Sequence, residues 1–137
     1  MKIAIVGDTH IGARGSNKHV REFIGEWFNY ALADMKSRGV DAYIQAGDAF
    51  DSRTSLNAHD FSFLTDTFIP LHNEHGIPGV YIDGNHDLAY KESSSISWVS
   101  LLERISSGMI TRVESASDFD FGGYTVGMLP WINQENL

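Results

Sequence analysis

Three short apolar runs, each cut off by a polar cluster beside a glycine, constrain this chain more than any other feature. Lys2 to Val6, Asp41 to Ala46 and Gly79 to Asp83 are too short for helices and rich in Ile, Val and Tyr. The first is continuously apolar, the pattern of a strand buried on both faces of a parallel sheet. Between the first two runs, Val20, Phe23, Ile24, Trp27, Phe28, Ala31, Leu32 and Met35 recur at i, i+3, i+4, i+7, which predicts an amphipathic helix. Asn17 is its expected N-cap and Gly39 its expected stop. A second helix is predicted from about Ala58 to His75, with Phe61, Leu64, Phe68 and Leu71 on one face, a kink or break at Pro70, and Gly76 and Pro78 at its end. Strand, helix, strand, helix, strand is the order of an α/β fold, a parallel βαβαβ core with right-handed crossovers. A short helix is expected near Ser97–Ser106. Phe119 to Val126, broken by Gly122-Gly123, then reads as an antiparallel hairpin.

Length and composition bound the rest. The 137 residues suit one domain, and 42% hydrophobic residues are enough for a core. With no cysteine, disulfides, thiolate metal sites and cysteine nucleophiles are excluded. No apolar run approaches the roughly 20 residues of a membrane span, and the N-terminus lacks the apolar stretch of a signal peptide. A cytoplasmic protein with no membrane partner is expected. The formal net charge is -8, which argues against gripping nucleic acid by bulk electrostatics. It suits a carboxylate-rich site that recruits cations.

The three strand ends carry that site. They read Gly7-Asp8-Thr9-His10, Gly47-Asp48-Ala49-Phe50-Asp51 and Gly84-Asn85-His86-Asp87. In an open parallel sheet the carboxyl ends of neighbouring strands lie side by side, and ligands bind in the crevice outside them. Asp, His and Asn offer oxygen and imidazole donors suited to Mn, Fe, Zn or Mg. Asp8 and His10, two residues apart on extended backbone, point the same way. The two oxygens of Asp48 are able to bridge two ions, and Asn85 adds a neutral carbonyl. His86 is placed to face a substrate, with Asp87 next to it to hold its ring by a hydrogen bond. Two such ions would clamp a phosphate and activate a water. Singly, an Asp-x-His or a Gly-Asn pair is an ordinary loop; jointly, each at the end of an apolar strand, they are hard to explain that way.

In order and spacing these clusters resemble the first three motifs of the calcineurin-like metallophosphoesterases. The Asp8-Thr9-His10-Ile11-Gly12 form, the Phe50-Asp51-Ser52-Arg53 continuation and Leu129-Pro130-Trp131 are similar to DNA double-strand-break repair nucleases, meaning the SbcCD-type nuclease subunit and the phage recombination endonuclease subunit. The resemblance implies a metal-dependent DNA nuclease, exonuclease and endonuclease, in a recombination or repair complex of a prokaryotic or phage-infected cell. Asp8 and His10 would bind one metal, Asp48 would bridge, and Asn85 would bind a second. His86 would contact the scissile phosphate and help protonate the leaving oxygen, with Asp87 orienting it. The cofactor implied is a pair of divalent ions, Mn²⁺ first, with Mg²⁺, Fe²⁺ and Zn²⁺ as alternatives. The partners implied are DNA, a coiled-coil SMC-like ATPase subunit, and a second copy or a complementary nuclease fragment.

The family's later Gly-His and Gly-His-x-His motifs have no counterpart here, since no histidine follows His86. Residues 1–137 are therefore expected to be the N-terminal part of the nuclease domain, a partial sandwich with a weak second metal site. Two other readings stay open: a non-catalytic short relative that binds and modulates a full-length nuclease or its ATPase, and a phosphoesterase acting on small nucleotides or phosphoproteins. Arg14 and Arg53, near the first two clusters, are candidates for contacting substrate phosphate. His72 and His75 are expected to be exposed at a helix C-terminus, and Trp27 and Phe28 to lie in the core or at a dimer face.

Overall fold

The computed structural model describes residues 1–137. Four parallel strands form its centre: β1 (Ile3–Val6), β2 (Ala42–Gln45), β3 (Gly79–Ile82) and β6 (Ile110–Val113), in the spatial order β1-β2-β3-β6. The register runs Ile3 with Ala42, Tyr43 with Gly79, and Gly79 with Ile110. Because the order follows the chain without reversal, same-handed crossovers stack the helices on one face.

The helices are α1 (Ala13–Ser16, one distorted turn), α2 (Lys18–Ser37), α3 (Ala58–Phe63), α4 (Ile69–His75) and α5 (Trp98–Ile105). Asn17 caps α2 by accepting from the backbone N–H groups of His19 and Val20, and Gly39 follows it with φ +66°. Asn57 and Asp60 form a reciprocal capping box at the start of α3. A π-helical turn, Leu64–Phe68, separates α3 from α4. The expected break thus comes just before Pro70, which sits in the first turn of α4, where no intrahelical donor is required of it.

One face of the sheet carries the main core. Phe28 and Leu32 of α2, Leu64 and Phe68 of the π turn, and Val99 and Leu102 of α5 pack against Tyr43, Tyr81 and Ile110. The other face is thinner. There Ala42, Ile44, Val80 and Val113 meet Phe121 and Met128 of the hairpin β7 (Ser117–Phe121) and β8 (Tyr124–Met128). Gly122 and Gly123, with φ of +64° and +96°, make its turn.

Three expectations change. β1 is an edge strand, not one buried on both faces: Ile5 is 75% exposed and only Val6 is buried. A fourth parallel strand, β6, and a second hairpin, β4 (Leu88–Tyr90) with β5 (Ser93–Ser97), occupy stretches whose Ser-rich or mixed composition carries no strand pattern. His72 is fully buried. Its Nδ1 faces the Phe68 carbonyl at 2.7 Å and its Nε2 the Tyr43 hydroxyl at 2.6 Å, so two hydrogen bonds replace the water it gives up. His75 stays at the surface, 3.0 Å from Asn29 Oδ1. Phe28 is core, whereas Trp27 is 38% exposed. No helix is long and apolar enough to cross a membrane.

Candidate metal centre

Beyond β1 and β2 the two chains stay zipped together through their loops. Asp8 N–H donates to Gly47 O at 3.3 Å, His10 N–H to Asp48 O at 3.1 Å, Ile11 N–H to Ala49 O at 2.8 Å, and Asp51 N–H to Ile11 O at 3.0 Å. Ile11, Ala49 and Phe50 are buried beneath. The first two clusters therefore sit on an apolar floor, held by a continued backbone ladder. Thr9 adds a side-chain tie, donating to Ala49 O and accepting from Gln45, both at 3.1 Å.

The third cluster is locked to the second by two crossing carboxylates. Asp48 Oδ1 accepts the His86 N–H at 2.8 Å. In return, Asp87 accepts from Phe50 N–H at 2.8 Å, Ala49 N–H at 3.3 Å and Gly84 N–H at 2.7 Å. Glycine is required where the loops touch: a Cβ on Gly84 would lie 2.0 Å from Asp48 N. A Cβ on Gly47, whose φ is +100°, would lie 3.1 Å from Gly84 Cα.

Asp8, His10 and Asp48 each present a ligand atom, all within 4.8 Å of one another. All three adopt left-handed backbone, with φ of +46°, +46° and +51°, so Asp8 and His10 do not lie on the extended backbone expected of them. Such strain in non-glycine residues persists only where surroundings enforce it, and it clusters at functional sites. His10 Nδ1 is shut from solvent without a hydrogen-bond partner; Asp51 Oδ1 lies 3.3 Å away. A hard-donor trio with an unpartnered imidazole nitrogen fits a divalent cation. Asp48 keeps acceptor capacity beyond the bond to His86, as bridging requires. Asn85 lines the same cleft, about 470 Å³ in volume, as Asp8 and Asp48.

His86 stands edge-on to His10, ring centroids 5.4 Å apart. Asp87 does not hold it, contrary to expectation. All three hydrogen bonds of Asp87 go to backbone N–H groups, and burial raises its pKa to about 6 against their opposing pull. The His86 ring is held instead by the backbone carbonyl of Asp51, 2.6 Å from Nδ1. Asp51 thus holds the His86 ring through its backbone oxygen while its carboxylate stands beside His10, an arrangement unreadable in sequence because the bond is made by the backbone. The only signal was its place at the end of the second cluster.

The two arginines part company. Arg14 is exposed, with φ +54° in the distorted turn. Arg53 is drawn away from the metal cleft: Nη1 donates to Leu88 O at 3.2 Å and Nη2 is closed off from solvent. It lines a separate cavity of about 270 Å³ with Trp98 and Tyr90.

Exonuclease subunit 1 of Enterobacteria phage T4 is 29% identical over 137 residues, 99% of this chain and 40% of that protein. The chain thus spans two fifths of the length of that relative. The crystal structure of the Pseudomonas putida nuclease MPE superposes with a TM-score of 0.49 and 22% identity, covering 81% of this chain and 46% of that one. The sequence model for the calcineurin-like phosphoesterases matches residues 1–134, a span that contains all three clusters, and the chain belongs to that family.

Proposed function

We propose that this chain is the N-terminal, ligand-bearing part of a metal-dependent DNA nuclease that hydrolyses phosphodiester bonds within a recombination or repair complex. One observation carries the reading: Asp8, His10 and Asp48 converge within 4.8 Å at the ends of adjacent parallel strands, with Asn85 in the same cleft. The 29% identity to a phage exonuclease subunit supports nucleic acid as substrate. Asp8 and His10 would hold a first ion, Asp48 would be shared, and Asn85 would belong to a second; Mn²⁺ is the ion proposed. When bound, such ions supply Lewis-acid polarisation of the phosphoryl oxygens and a nucleophile at neutral pH.

The chain's own residues do the rest. The Asp51 carbonyl only accepts, so the neutral His86 ring carries its proton on Nδ1 and its lone pair on Nε2. Protonated at Nε2, the ring becomes a donor to a phosphate oxygen or to the leaving oxygen. Asp87 fixes the backbone on which Asn85 and His86 ride and takes no part in proton transfer. DNA, an ATPase subunit, and a second copy or complementary nuclease fragment are the proposed partners.

The test is Mn²⁺-dependent cleavage of linear DNA by the folded chain, alone and with the remainder of its nuclease, beside Asp48→Ala and His86→Ala. Cleavage is expected to fall at least roughly hundredfold in each variant. Undiminished cleavage in both overturns the mechanism. Hydrolysis of cyclic nucleotides or phosphopeptides but not DNA would move the substrate class. A stable complex that changes a full-length nuclease's rate, insensitive to Asp8→Ala, would select a non-catalytic role.

A further inference from the structure

The cleft at the metal donors has a second wall that hydrolysis does not use. It is built from Ile82, Leu129, Pro130, Trp131 and Ile132. Leu129, Trp131 and Ile132 are 59%, 45% and 49% exposed. This row is held firmly. Trp131 N–H donates to Asp83 O at 2.7 Å, and its carbonyl accepts from Asn136 Nδ2 at 2.9 Å. Asp83 is itself fixed: its carboxylate takes Arg112 Nε and Nη2 at 2.9 and 2.6 Å and Ser97 Oγ at 2.6 Å, with both ion-pair partners buried. Arg112 Nη2 also donates to Ser94 O at 2.8 Å, and Asn133 of the same tail donates to Ser94 Oγ at 2.8 Å. Asp83 directly precedes Gly84-Asn85-His86. The backbone under the indole is therefore tied to the root of the loop that carries Asn85. One fixed unit presents metal donors on one wall of the cleft and an exposed indole on the other.

We propose that Trp131, flanked by Leu129 and Ile132, is a base-stacking platform that seats the nucleobase next to the phosphodiester that cations at Asp8, Asp48 and Asn85 would hold. This rests on the nuclease reading and adds a substrate subsite to it. Every base has a π face, and the side chains of this wall read no base edge apart from the single indole N–H, so the platform tolerates any sequence. With a net charge of -8, the chain has little bulk attraction for a phosphate backbone. Stacking then supplies binding that charge does not. At about 470 Å³ the cleft has the size of a small-ligand pocket, not a duplex channel. A paired base in a duplex is already stacked on both faces, so the platform favours ends, gaps and single strands.

The test uses the chain labelled with 5-fluorotryptophan, whose three tryptophans (Trp27, Trp98 and Trp131) give three resonances, Trp131 being assigned with Trp131→Phe. Adenosine is titrated in EDTA, so neither metal nor cleavage is involved. The Trp131 resonance is expected to shift saturably, with Trp27 and Trp98 unmoved, and with no shift from ribose or inorganic phosphate. In Mn²⁺, single strands carrying an abasic nucleotide beside the scissile bond are then cut by the wild type, Trp131→Phe and Trp131→Ala. The abasic strand and the alanine variant are each expected to raise KM roughly tenfold or more while kcat holds, and phenylalanine is expected to restore most of the loss. No adenosine shift, or cleavage indifferent to the missing base, overturns the platform and leaves the nuclease reading standing. Concentration-dependent broadening of Trp131 without an adenosine response assigns the wall to a second copy and also overturns it. Adenosine stacking in a chain that cuts no DNA in any assembly leaves the platform and overturns the nuclease.

Discussion

Two histidine clusters lie in this molecule, and they differ in whether their hydrogen bonds close. In the core, Tyr81, Tyr43 and His72 form a chain whose proton order has one solution. His72 Nδ1–H donates to the Phe68 carbonyl, so Nε2 accepts from the Tyr43 hydroxyl, which in turn accepts from Tyr81. Burial lowers the His72 pKa to about 4 and raises that of both tyrosines, keeping all three neutral. At the strand ends the accounting stays open: His10 Nδ1 has no partner, and three neighbouring residues sit in left-handed backbone. A fully satisfied network rigidifies a core, whereas strained backbone of this kind clusters at functional sites.

The sharpest way to break this contrast is Gly84→Ala. Its Cβ would overlap the Asp48 backbone, so the loops must part, with a loss of about 3 kcal/mol or more and of Mn²⁺ binding together. Urea unfolding and calorimetric metal titration read the two losses. A variant that keeps both would show the close approach to be dispensable.

The core cluster predicts a pH effect of opposite character. Unfolded His72 takes a proton near pH 6.5, folded His72 near 4. Between those values the unfolded state binds more protons, so stability is complete above pH 6.5 and falls on acidification towards 4. The loss is on the order of 3 kcal/mol. His72→Gln should flatten this part of the pH profile of urea unfolding and leave metal affinity unchanged. An unaltered slope would mean that His72 is not the group responsible.

Asp51→Ala removes the carboxylate beside His10 Nδ1 while keeping the carbonyl that holds His86. Mn²⁺ affinity is expected to weaken roughly ten- to hundredfold, with stability moved by less than ~0.5 kcal/mol. An unchanged affinity in titration calorimetry would remove Asp51 from the metal's surroundings. The smallest effect belongs to Asn17→Ala, which removes the cap of α2 at a cost of about 1 kcal/mol, measurable as a lower urea midpoint with no change in metal binding.

Much of this was legible in the residues. The apolar run Lys2–Val6, the i, i+4 stripe from Val20 to Met35, the cap at Asn17 and the break near Pro70 are local signals, and each element formed where its signal lay. The juxtaposition of Asp8, His10 and Asp48 also followed, because parallel strands in adjacent register place their carboxyl ends together. The hairpin of β4 and β5 did not, since Ser93 to Ser97 has little apolar alternation and forms by packing against Asp83 and Arg112. The burial of His72 depended on Tyr43, 29 residues away.

The sequence by itself determined the order of elements and which residues stand at the strand ends, since periodicity and turn chemistry are encoded within a few neighbouring positions. Only the tertiary structure decided where side chains spend their hydrogen bonds. Asp87 turned to three backbone N–H groups instead of His86, Asp51 took over that ring, and Arg53 swung to Leu88. A buried polar group bonds to whatever donor or acceptor the packing brings within reach, and that partner is set by distance in space, not along the chain.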